Sequence, residues 1–256
     1  MHHFKIVKTI LSMLFCCFVI VSCTYLPKKN TKYIENRTPE AIYESALKKS
    51  NAKQYKDAVK DLEEIDNLYP FSPIAIKARL MMAFLNYELG DYSHAALYAD
   101  DYIQLYPDSK DIDFAYYLRI MANYMQINDI DRDQTSLYKV LELLDEFLRL
   151  FPQSMYLDEV MKKLDLVHQH IAAKEFSVGK FYLQRGEYVA AIKRFSVVLN
   201  KYKDTKYYSE SLYRIAEAYL ALGDVTAYEN YMSLLKECCA DTGWYREPTH
   251  DQKAKN

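Results

Sequence analysis

Few of the titratable and nucleophilic side chains in this chain are spaced to act together. His168 and His170 lie two residues apart and would point to different sides of a helix. No cysteine or paired carboxylate lies near them, so a zinc site is unsupported. His94, beside Tyr92 at a helix start, reads as a surface or seam residue. Glu63-Glu64 and Asp100-Asp101 are pairs only in sequence and fit a solvated helix face. Asp129, Asp131 and Asp133 alternate as in a calcium loop, but the glycine of its turn and the glutamate at its twelfth position are missing. The five glycines never cluster into a phosphate loop, and no serine occupies a nucleophile elbow. These patterns predict a protein that is not an enzyme and holds no metal or cofactor.

The cysteines carry more information. His2, His3, Lys5 and Lys8 precede an apolar run from Ile10 to Val21, and Ser22-Cys23 follows. That order is the form of an export signal, and the run falls short of the roughly 20 residues a membrane span needs. Cleavage before Cys23, with acylation of its thiol, would leave a body moored to a lipid bilayer by its first residue. An ordinary signal peptide or an uncleaved anchor is the alternative. Cys16 and Cys17 leave with the signal, and Cys238-Cys239 are adjacent. Disulfide geometry disfavours bridging neighbours, so the expectation is two partly buried thiols in a helix; bridges to another chain are the alternative. Loss of residues 1–22 takes Lys5 and Lys8 with it and moves the formal charge from -2 to about -4. No basic run remains, which argues against nucleic acid as a partner.

The elements that position these residues are repeats. Tyr55-Lys56-Asp57-Ala58 is followed, fifteen residues after its tyrosine, by Pro70, and Tyr92-Ser93-His94-Ala95 by Pro107 at the same distance. Leu137 stands fifteen before Pro152; Tyr188 has Lys203 at that position. Gly90-Asp91-Tyr92, Gly186-Glu187-Tyr188 and Gly223-Asp224-Val225 mark turns, where glycine accepts the positive φ that ends a helix. Apolar stripes follow at three- and four-residue steps: Ala58/Leu62/Ile65, Ala95/Ala99/Tyr102, Val140/Leu144/Phe147, Ala191/Phe195/Val198 and Tyr228/Met232/Leu235. A small residue stands seven before each turn glycine, at Ala83, Gly179 and Ala216. Together these form the tetratricopeptide pattern. It predicts an all-α, right-handed superhelix of about five antiparallel helix pairs, at 39–69, 74–106, 111–151, 156–202 and 208–237. A polar insertion at 126–136 should be an exposed connection. The tail from Thr242 should be loose except where Trp244 or Tyr245 finds a surface.

Stacked pairs make a curved body with an extended inner face rather than an enclosed pocket. By register with the turns, Tyr43, Leu47, Leu80, Phe84, Tyr87, Tyr116, Arg119 and Asn123 fall on that inner face. Apolar bulk with polar handles suits an extended, partly aromatic peptide. The 25 tyrosines of the chain serve either such a groove or the seams between helices.

Several segments resemble the BamD (ComL/YfiO) family of outer-membrane protein assembly lipoproteins, over Cys23 to about Trp244. The marks are Cys23 itself, Ala41-Ile42-Tyr43, Tyr55-Lys56-Asp57-Ala58 and Leu68-Tyr69-Pro70-Phe71-Ser72. Asp113-Phe114-Ala115-Tyr116-Tyr117-Leu118-Arg119, Phe151-Pro152-Gln153-Ser154 and Phe181 to Ala191 continue them. The resemblance implies a lipid-anchored protein of a Gram-negative outer membrane, facing the periplasm. Its implied partners are unfolded outer-membrane β-barrel substrates, a BamA-like barrel insertase gripped through its POTRA domains, and other assembly lipoproteins. It implies a signal over 1–22, a lipidated linker over 23–38, a substrate groove in the repeats of 39–151, insertase-binding repeats over 152–241 and a tail over 242–256. Carried over residue by residue, Tyr43, Tyr87 and Arg119 become pocket candidates and Arg194 an insertase contact. Lys203, where a proline is frequent, is a departure. The rival reading is a repeat lipoprotein coordinating other complexes of the cell envelope.

Overall fold

The computed structural model describes residues 37–127 and 134–245. The expected signal, Cys23, nearly all of the linker, the aspartates of the insertion and residues 246–256 lie outside them. Ten α-helices follow in order: α1 (Pro39–Asn51), α2 (Tyr55–Leu68), α3 (Pro73–Glu88), α4 (Tyr92–Leu105), α5 (Ile112–Met125), α6 (Gln134–Leu150), α7 (Leu157–Gln184), α8 (Tyr188–Lys201), α9 (Tyr208–Ala221) and α10 (Val225–Cys239). A single 3-10 turn, Ala240–Thr242, closes the described chain. Each helix packs on its predecessor and successor, so five antiparallel pairs stack into an array.

Local chemistry sets the helix limits. Thr38 and Ser72 cap α1 and α3 by accepting from the amides of Ala41 and Ile74, with Pro39 and Pro73 opening the helices behind them. Asp91 and Asp224 cap α4 and α10 in the same way. Gly90, Gly186 and Gly223 have φ of 76°, 74° and 82°, the left-handed backbone expected at the turn within a pair. Gly179 serves another purpose. A Cβ there would lie 2.6 Å from the Phe195 ring, so α7 and α8 approach as closely as they do because that position is bare.

The apolar stripes of the second helices are the core. Ala58, Leu62, Ile65, Ala99, Leu144, Phe147, Ala191, Phe195 and Val198 are completely buried. The α10 stripe departs from this: Leu235 is buried, but Tyr228 and Met232 are only half-buried, because among the described residues no further helix pair stacks on α10. Asp61 ties the first pair together; its carboxylate accepts from Ser45 at 2.7 Å and Lys49 at 2.6 Å, with Arg37 at 3.7 Å.

Three expectations change in detail. Gln134, Thr135 and Ser136 open α6 rather than belonging to the connection, since no breaker separates them from the stripe that follows. The fourth pair begins with a helix of 28 residues, about 42 Å long, twice the usual first helix. Its first half lies along α6 and its second half along α8, because between 157 and 178 no glycine or proline interrupts it. Cys238 and Cys239 are bonded to each other rather than free, and Cys238 is exposed. Cys239 is the last residue of α10, and its backbone, at φ -144° and ψ 27°, departs from helical angles there. The tail does find a surface. The Trp244 ring lies tilted 5.8 Å from that of Tyr213, with the Arg214 guanidinium 5.4 Å from it.

Candidate peptide-binding cleft

A cleft of about 510 Å³ opens on the first three pairs. Tyr43 of α1 forms one wall, and Pro73, Ile76, Lys77, Leu80, Met81 and Phe84 of α3 form the floor. Tyr102 of α4, the turn residues Ser109, Lys110 and Asp111, and Phe114 of α5 close the far side. Helix α3 can supply a floor because it is apolar on two faces. Ala75, Ala78, Met82 and Leu85 are buried in the array, while Ile76, Leu80 and Phe84, four residues apart, face the opening.

Aromatic rings extend the apolar surface beyond the cleft. Phe84 lies 6.3 Å from Phe114, Phe114 stacks 5.3 Å from Tyr156, and Tyr156 stacks 4.7 Å from Tyr117. The run thus crosses from α3 to the start of α7. Burial raises the pKa of Tyr43, Tyr102, Tyr117 and Tyr156, so all four remain neutral phenols over any physiological range. The Tyr117 hydroxyl donates to Glu159, and Tyr102 and Ser109 share a 2.6 Å hydrogen bond. Lys77 and Lys110 are exposed at the mouth and take part in no salt bridge among the described residues; Asp111 is the one acid in the lining. The site therefore presents hydrophobic and aromatic bulk beneath two available cations and an acid. Among the described residues no group of histidine, cysteine and carboxylate could hold a metal ion.

Tyr43, Leu80 and Phe84 meet in this cleft as their register implies. Leu47, a turn beyond Tyr43, is half-buried and outside the lining. Tyr87 is outside the lining; its ring lies 5.6 Å from that of Tyr92, and it packs with Leu80, Phe84 and Phe114 on the Ala83/Ala99/Leu118 group. Tyr116, Arg119 and Asn123 lie in the seam between helices. Tyr116 packs edge-on to Phe151 at 4.9 Å with the Arg119 guanidinium 4.4 Å above its ring. Arg119 is 12% exposed, 2.6 Å from Glu146 and 3.4 Å from Asp100, and Asn123 donates to its carbonyl at 2.8 Å.

The side chains of α5 that do face the run are Phe114 and Tyr117. The signal for them is the 37-residue step from Pro70 to Pro107. Moved by that step, Tyr43 becomes Leu80 and Leu80 becomes Tyr117, whereas Asn86 becomes Asn123. Asn86 donates to the carbonyl four residues back at 2.8 Å, as Asn123 does, which fixes the equivalence. On the second half of the array, Arg194 of α8 is 44% exposed and 3.1 Å from the buried carboxylate of Glu175 on α7.

Stacked antiparallel helix pairs define a tetratricopeptide-like repeat protein. Residues 35–234 match the model of the YfiO family, described as outer membrane lipoprotein, and the chain belongs to that family. It is similar to outer membrane protein assembly factor BamD of Caulobacter vibrioides, 31% identical over 204 residues, which is 80% of this chain and 67% of the relative. The protein of the same name from Rickettsia prowazekii is also 31% identical, over 80% of this chain and 81% of its own length. Among solved structures, a tetratricopeptide protein of Thermus thermophilus aligns with 81% of this chain and 95% of its own at 18% identity, with a TM-score of 0.37. No described helix is long and apolar enough to cross a membrane.

Proposed function

We propose that this chain is a non-enzymatic assembly factor for outer-membrane β-barrel proteins, held by acylated Cys23 and facing the periplasm. Its cleft receives an extended segment of an unfolded barrel. Aromatic side chains of that segment lie against Leu80, Phe84 and Phe114, while Lys77 and Lys110 meet its carboxylates. The work is binding and positioning; no bond is made. The last two pairs hold the barrel insertase through its POTRA domains, using Arg194 and the apolar side chains exposed around the Gly186 and Gly223 turns. Phe181, Val189, Leu220 and Leu222 are each about half exposed there, and other assembly lipoproteins join the same complex.

The observation that carries this reading is the aromatic run from Phe84 to Tyr117, beginning in a cleft with available cations at its mouth. The test is fluorescence anisotropy with a labelled peptide copied from the terminal strand of a β-barrel. Lys77→Glu combined with Phe84→Ser should weaken binding by about tenfold or more, since each anchor contributes on the order of 1 kcal/mol. Equal affinity for the parent and the double variant rejects the cleft. Arg194→Ala should reduce recovery of the insertase from crosslinked membranes and leave peptide affinity unchanged. Recovery of division proteins without any insertase would favour the envelope-coordination alternative.

A further inference from the structure

The turns between successive pairs share one edge of the array, and that edge exposes large apolar side chains. Phe71, at the tip of the α2–α3 turn, is 99% exposed, and Met155, in the α6–α7 turn, is 84% exposed. Leu68, Leu105 and Leu150 occupy one repeated position, just before Tyr69, Tyr106 and Phe151, and each is about half exposed. The recurrence over three turns aligns these side chains along an edge that a flat surface can touch at once. At the fourth turn the corresponding position is Lys201, with Lys203 and Lys206 beside it, all exposed. Apolar side chains thus mark the first three turns and lysines the fourth, with Asp108, Lys110, Asp111 and Asp204 exposed between them.

The chain enters the fold at that same edge. The Tyr69 hydroxyl donates to the Arg37 carbonyl at 2.8 Å, placing the start of α1 against the Phe71 turn. Arg37 is fourteen residues beyond Cys23. Even at full extension that distance is at most about 50 Å. The opposite edge, with the turns inside each pair, stands a helix length of about 21 Å further away. We infer that the edge carrying Leu68, Phe71, Leu105, Leu150 and Met155 rests on the phospholipid surface that holds the anchor, with the lysines of the fourth turn over anionic headgroups. The inference rests on the lipoprotein reading and adds an orientation to it: the cleft, bounded by Pro73 directly after one of these turns and Ser109 within the next, opens beside the bilayer.

The test uses the mature acylated chain in vesicles of phosphatidylethanolamine and phosphatidylglycerol with brominated acyl chains. A tryptophan replaces Phe71, or Leu222 on the opposite edge as control, both exposed enough to leave the fold intact. The signal of Trp244, the one natural tryptophan, is subtracted using the unsubstituted chain. Phe71→Trp should be quenched at least about twofold more than Leu222→Trp. Equal quenching, or none at Phe71→Trp in a chain that floats with the vesicles, overturns the orientation and leaves the anchor standing. A chain that does not float removes the anchor and the orientation together. A response at Phe71→Trp that needs an added protein and ignores lipid also overturns it.

Discussion

The first three helix pairs and the last two bury apolar surface differently. Among the first pairs the buried residues form several small groups: one around Ile42, Leu62 and Met82, and others that are nearly all alanine, such as Ala83/Ala99/Leu118 and Ala95/Ala96/Ala122. From α5 onward a single continuous core runs from Ile120 through Phe147, Phe176 and Phe195 to Ile215. The cleft of the first three pairs lies beside these small groups. The two regions also expose apolar side chains on opposite edges, at the between-pair turns early and at the within-pair turns late. Under the proposed function, the first region receives a peptide and the second serves as its mount.

Overfilling the continuous core should have the largest effect. Gly179→Val would press into the Phe195 ring and is expected to cost about 3 kcal/mol, read from chemical denaturation followed by circular dichroism. A cost below about 1 kcal/mol would mean the mount is looser than the comparison holds. Next, Asp61→Asn removes the charge shared by Lys49 and Arg37 in the first pair and should cost about 2 kcal/mol. Cooperative loss of both regions in that variant, rather than earlier loss of peptide binding, would show that the regions are more tightly coupled than their separate cores suggest.

Alkaline pH offers a third probe. Burial raises Tyr202, in the continuous core, to about 12. Below pH 10 the folded and unfolded chains both hold this proton. Between about pH 10 and 12 the unfolded chain releases it first, so stability must fall as pH rises, by up to about 1.4 kcal/mol per pH unit for each fully linked tyrosine. Tyr202→Phe should flatten that part of the profile in denaturation midpoints taken across the window; an unchanged slope would contradict the linkage. The smallest effect belongs to Cys238→Ser. The bonded pair closes no loop of chain and Cys238 is exposed, so stability should move by less than about 0.5 kcal/mol. Thiol titration of the unreduced parent should find neither Cys238 nor Cys239 free.

Much of this architecture was legible from residue types. Gly90, Gly186 and Gly223 announced the turns because glycine alone accepts their backbone cheaply, and the stripes of α2, α4, α6 and α8 announced the buried faces through their spacing. The site was legible only where a helix has one distinct apolar face. Helix α5 reads Ile-Asp-Phe-Ala-Tyr-Tyr-Leu-Arg-Ile-Met-Ala-Asn-Tyr-Met, so Tyr116 and Tyr117 look equally suited to a groove, and only the step between prolines separates them. The fused α7 shows up in sequence merely as a missing break. The Cys238–Cys239 bond sits where the backbone leaves the helix, which composition does not record.

That uninterrupted α7 has a mechanical consequence. Because one rod lies along α6 at its beginning and along α8 at its end, bending between the two regions would require bending or melting the rod itself. Under the proposed function, a load applied where an insertase would be held would reach the cleft as a rigid-body displacement, so the two surfaces should travel together as the ends of a lever.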